Sequence, residues 1–198
     1  MHIAHMQDFI ADTGPAPQAH GAFDLFQGMK QALGTTTARV SVMQGNSDKA
    51  WTAAIAATLA PGDTVILLDT MVEACTWAQD AGLRVEVITL QSSGPLGTLE
   101  ALSRRLGKDV DDSVKAVFVH QSAATDLAGV RRVLDENFHD ALLCLDAREL
   151  NQTAEIEMDR NEVDVTVAPC PVDATSAERL VLLALSPKAR PALHVIAA

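Results

Sequence analysis

A three-layer α/β domain, with a mainly parallel sheet and helices on both faces, is the fold this sequence predicts, on three observations. Apolar runs of strand length alternate with stretches of helical periodicity from Phe23 to Leu185. Thr64 to Leu68 (T-V-I-L-L) is continuously apolar, as a strand covered on both faces must be. Val40 to Asp63 (V-S-V-M-Q-G-N-S-D-K-A-W-T-A-A-I-A-A-T-L-A-P-G-D) reads as strand, tight turn, helix and stop.

Residues 1–20, with Gly14, Pro15 and Pro17, lack periodicity and read as an N-terminal arm. Phe23, Phe26, Met29, Lys30 and Leu33 give a helix stripe that Gly34 ends. Val40 to Met43 is a strand. Gly45 permits a sharp turn, Asn46 or Ser47 caps the next helix, and Trp51, Ile55 and Leu59 recur along it until Pro61 and Gly62. After Thr64 to Leu68, Met71, Ala74, Cys75 and Ala78 mark a helix with Gly82 beyond it. Arg84 to Thr89 alternates charged and apolar residues, which suits a sheet edge. Leu99, Leu102 and Leu106 form a helix stripe ended by Gly107, and Ala116 to Val119 is a strand closed by His120. Leu127, Val130, Leu134 and Phe138 mark another helix, and Ala141 to Leu145 a strand ending at Asp146. Val163 to Val167 and Leu180 to Leu185 are the last strands, and residues 21–198 read as a single domain.

The net charge of −11 and the lack of any Lys/Arg cluster argue against a nucleic acid or an anionic membrane as partner. Cys75, Cys144 and Cys170 are widely spaced, without a disulfide or zinc pattern, and Cys144 reads as core. No apolar run reaches the roughly 20 residues of a membrane span, and the first residues carry no secretory signal, so a cytoplasmic location is expected.

The order of these pieces resembles the large domain of class V aminotransferases, fold-type I pyridoxal-phosphate (PLP) enzymes that include the alanine–glyoxylate and serine–glyoxylate aminotransferases. The resemblance runs from about Phe23 to Ala189. Its anchors are residues 44–63, where the family has a G-S-G-T turn, an alanine-rich helix and a P-G-D stop, and C-L-D-A at 144–147. The third is V-D-V-T-V-A-P at 163–169, followed by V-L-L-A-L-S-P-K-A. The resemblance implies that Asp146 pairs with the pyridine nitrogen, that His120 lies near the ring, and that Gly45, Asn46 and Ser47 belong to the phosphate turn. Read without it, Asp146 is a strand-end aspartate capping the following turn, and His120 a strand-end histidine making ordinary hydrogen bonds.

The departures are as informative. An ungapped match places Val172 at the Schiff-base lysine, and no lysine occurs between Lys115 and Lys188. Valine has no nucleophile, so transamination by the family mechanism should be lost. Asp48 puts a carboxylate in the phosphate turn, no aromatic residue lies at Asp69 to Val72 to stack on the ring, and Trp77 reads as core. The C-terminal small domain of the family is expected to be absent. Lys49 reads as a surface lysine paired with Asp48 or a neighbour. Glu155, Glu157, Asp159, Glu162 and Asp164 read as a solvated acidic loop. Ser92, Ser93 and Ser122 have no nucleophile elbow around them, and the six histidines have no metal-ligand spacing, so no metal site is expected.

The expectation is a degenerate aminotransferase-like pseudoenzyme without bound cofactor. It would act as a structural or regulatory subunit in a homodimer or with a full-length aminotransferase paralogue, because family active sites lie between large domains. Two rivals stand beside it. One is a PLP-binding enzyme or enzyme subunit whose lysine is supplied elsewhere, and the other a small-anion or nucleotide binder using only the glycine turn.

Overall fold

The computed structural model describes residues 19–68, 72–89, 94–120, 126–148, 156–170 and 180–190. Residues 1–18 of the arm, Asp69 to Met71, Ser92, Ser93, Ser122, Glu155 and Val172 lie outside the described residues, as do the side chains of Phe23, Ala74 and Cys75.

Helix α1 (Ala19–Ala32) ends where Gly34 takes φ +62°, a conformation that costs glycine little and other residues much. Edge strand β1 (Arg39–Gln44) leads into α2 (Ser47–Thr58), capped by Asn46, whose side chain accepts from the Lys49 backbone N–H. Strand β2 (Thr64–Leu68), α3 (Val72–Asp80), β3 (Arg84–Ile88), α4 (Gly94–Leu106) and β4 (Val114–His120) follow. The remaining elements are α5 (Leu127–Glu136), β5 (Leu142–Asp146), β6 (Val165–Pro169) and β7 (Leu180–Leu185).

The seven described strands form one sheet in the order β1-β7-β6-β5-β4-β2-β3. Strand β7 is antiparallel to both neighbours and every other pairing is parallel, so β7 alone runs against the other six. Strand β2 is buried at every position and β3 is an edge, as their sequence patterns require.

Alternation along the strands divides the core in two. Ile66, Val117, Leu143 and Leu182 face α1, α4 and α5, against Met29, Leu102 and Leu134. Val65, Phe118, Cys144 and Val167 face α2 and α3, against Trp51, Ile55, Trp77 and Ala78. Helix α2 lies over β6 and β7, and its first residue, Ser47, comes within 3.5 Å of Arg148 just beyond β5.

Two sequence readings need correction. Phe138 does not continue the α5 stripe: the helix stops at Glu136, Asn137 caps it, and Phe138 turns out at φ +52° with 98% of its surface exposed. The acidic run is not uniformly solvated either. Asp164 is 4% exposed and accepts from the Leu143 N–H and the Ser186 hydroxyl, stapling β5 to the end of β7. Asp159 accepts four hydrogen bonds from Thr35, Thr36 and Thr37, and so ties the α1 exit to the loop before β6.

Candidate functional site

Strand parity puts His120 and Asp146 on the α2/α3 face, and the β4–β5 register makes them direct neighbours. Both stand at the C-terminal ends of parallel strands, where open α/β sheets hold their ligands.

Asp146 is fully buried. Arg148 Nε donates to both of its carboxylate oxygens, at 2.7 and 3.0 Å, and the Arg148 backbone N–H donates to Oδ1 at 3.2 Å. The backbone contact closes an Asx-type turn, the strand-end capping role open to any aspartate there. Burial pushes the Asp146 carboxyl above its ordinary range, opposed by the Arg148 guanidinium, its hydrogen bonds and His120.

The guanidinium also lies over the Trp77 ring, 5.4 Å from its centroid, with Nη1 3.5 Å from the Ser47 hydroxyl oxygen at the start of α2. Trp77 stacks on Trp51, centroids 5.5 Å and planes 15° apart, and Trp51 tilts against Phe118 at 5.2 Å. Trp77 is therefore both core and site wall: its Nε1 donates to Asp48 Oδ1 at 3.2 Å.

Gly45 takes φ +125°, and a Cβ there would stand 3.0 Å from Lys49 Cδ, because the lysine chain folds over the turn. Asp48 accepts hydrogen bonds from Trp77 Nε1 and, at 2.8 Å, from Asn46 Nδ2. Gly45, Asn46 and Ser47 thus sit at the α2 N-terminus, joined to Asp146 through Arg148.

Sequence reasoning missed Arg148 and the polar role of Trp77. The first had a local signal, an arginine two residues after a strand-end aspartate, and the second had none, since α3 and α2 meet only in the fold. A second cluster, Asp109, Asp112 and His139, brings ligand-type atoms within 4.8 Å of one another. Asp109 already accepts from Ser113, the Val114 N–H and Arg105, and Asp112 pairs with Lys115, so the cluster works as a hydrogen-bonded junction between α4, β4 and the end of α5.

No family model matches this chain. Serine–glyoxylate aminotransferase of Hyphomicrobium methylovorum is 32% identical over 173 residues, 83% of this chain and 42% of that protein. L-aspartate–glyoxylate aminotransferase of Paracoccus denitrificans is 30% identical over 178 residues, 85% of this chain and 44% of that protein. Ureidoglycine–glyoxylate aminotransferase of Bacillus subtilis shares the fold at a TM-score of 0.70 and 16% identity, over 89% of this chain and 48% of that one. The chain spans less than half the length of the relatives it matches. Over the stretch it shares with them, this chain is a homologue of the serine– and aspartate–glyoxylate aminotransferases, class V enzymes of the fold-type I PLP-dependent group.

Proposed function

We propose that this chain is a cytoplasmic, non-catalytic aminotransferase-like domain that acts as a structural or regulatory subunit, pairing with a second copy or with a full-length aminotransferase paralogue. One observation carries the reading: the carboxylate that should face the cofactor ring, Asp146, is held at both oxygens by Arg148. As arranged, these residues do not fit PLP. A protonated ring nitrogen would need the carboxylate face that Arg148 holds, and Asp48 adds a negative charge to the turn that would take the phosphate dianion. Val172 at the lysine position supports the same reading from sequence.

The test is to incubate the protein with PLP, reduce with borohydride and map adducts by mass spectrometry, with oligomeric state measured by sedimentation. A self-associating or paralogue-capturing protein without a site-specific adduct is the expected result. A monomer that captures no paralogue overturns the subunit role, and a stoichiometric adduct on one lysine overturns the non-catalytic role. The enzyme reading has one observation in its favour, the Lys49 amine folded over the Gly45 turn, and an adduct there would establish it.

A further inference from the structure

The place Arg148 occupies has the properties of a binding site rather than of an ordinary ion pair. Its floor is a carboxylate with no solvent exposure, one wall is an indole face, and its far side is a serine hydroxyl at the start of a helix. What fills it is flat, cationic and rich in N–H donors, and it arrives on a flexible stem from two residues beyond the carboxylate. The stem leads outward, because a quarter of the Arg148 side chain remains exposed, while Trp77 and Asp146 are buried. A surface arginine has thus folded inward to neutralise a carboxylate that burial would otherwise leave uncompensated.

We propose that Arg148 is a built-in occupant of a site for planar cations, closing from within the space between Asp146 and Trp77 that a protonated nitrogen heterocycle or a guanidinium ligand would otherwise enter. The inference rests on the non-catalytic reading of the same site, and the two fail separately. The first falls to an aldehyde-dependent lysine adduct. This one is tested with ligands that carry no aldehyde.

The experiment compares the whole chain with Arg148→Ala, using methylguanidinium and 4-aminopyridinium as planar cations and methylammonium at equal ionic strength as the non-planar control. Trp51 and Trp77 are the only tryptophans, so emission reports directly on the site wall. In Arg148→Ala both planar probes should change emission saturably, raise Tm, and bind at least about tenfold more tightly than to the unmodified protein. Methylammonium should do neither, and Asp146→Asn/Arg148→Ala should lose the effect because the carboxylate is gone. If Arg148→Ala does not fold alone, the titration follows refolding, and recovery with methylguanidinium but not methylammonium supports the site. Saturable binding of equal strength to the unmodified protein, or no response of Arg148→Ala to either planar probe, overturns it.

Discussion

Trp77 Nε1 donates a hydrogen bond to Asp48 Oδ1 at 3.2 Å, so the first turn of α2 is fastened to α3 by a contact no local sequence pattern announces. Asp48 also accepts from Asn46 and lies at the positive end of the helix dipole. Asp48→Ala should cost about 1–2 kcal/mol in urea unfolding, since it leaves a buried indole N–H unpaired. Asp48→Asn keeps an acceptor and should lose less. Equal losses in the two variants would assign the effect to the helix-end charge instead of the Trp77 bond.

How much was legible follows from which interactions are local. The apolar run Val65 to Leu68 and the alternation in Arg84 to Ile88 report burial on two faces or one, and that is enough to separate a covered strand from an edge. Gly34 announced the end of α1 because the required backbone conformation is itself local. The reversal of β7 was not legible, since Leu180 to Leu185 is equally apolar in either direction. Asp159 and Asp164 looked solvated because their partners, Thr35 to Thr37, Leu143 and Ser186, are remote in sequence or separated by a whole strand. At the candidate site the sequence singled out Asp146 and Ser47 as expectations but not the guanidinium that joins them, because a charge two residues away declares its direction only once the strand end is built.

The α1 exit offers a paired test of backbone conformation. A Cβ on Gly34 would lie 2.6 Å from the Glu157 Cα, and φ there is +62°. Gly34→Ala should therefore cost more than about 1 kcal/mol, strain and clash adding. A Cβ on Gly28, inside α1, would meet no atom within 4 Å, so Gly28→Ala should stabilise by about 0.5–1 kcal/mol. Thermal unfolding of both variants checks the pair, and a stabilising Gly34→Ala would show that the loop at Glu157 gives way freely.

Asp159 makes stability pH-dependent. Burial works against its charge, but hydrogen bonds from Thr35, Thr36 and Thr37 hold its carboxyl down to about 2. The unfolded value is about 3.9, so the folded chain binds the proton less readily, and the resulting stability is present above that value and lost as pH falls through the folded one. Discounted for the exposure of the residue, Asp159→Asn should cost about 1 kcal/mol at neutral pH, the difference from the unmodified chain shrinking below about pH 4. Urea midpoints across pH measure this. A difference independent of pH would mean that the loop is held by something other than the charge.

Asp164 is the stronger staple. It is 4% exposed, accepts from the Leu143 N–H at 3.0 Å and the Ser186 hydroxyl at 2.8 Å, and has Arg131 3.7 Å away. Asp164→Ala strands a buried backbone N–H and leaves Arg131 short of one partner, for a loss of about 3 kcal/mol or more. Ser186→Ala removes the bond to Asp164 and the one its hydroxyl accepts from the Ala189 N–H while leaving the aspartate its other partners, and about 1–2 kcal/mol is expected. Denaturant unfolding should rank the two in that order, and reversal would place the staple elsewhere.

Thr166 should behave in the opposite way. It is fully buried in β6, between the registers of Leu145 and Ala184, and its hydroxyl has no hydrogen-bond partner among the described residues. A hydroxyl in that state has given up water for nothing, at a cost of about 1–3 kcal/mol. Valine has nearly the same shape, favours strands equally and carries no polar atom. Thr166→Val should therefore raise Tm, with a gain of about 1 kcal/mol, while Thr166→Ser should lower it by opening a cavity without removing the unpaired group. If valine destabilises instead, the hydroxyl has a partner such as a buried water, and the β6 face is held by a polar contact rather than by packing alone.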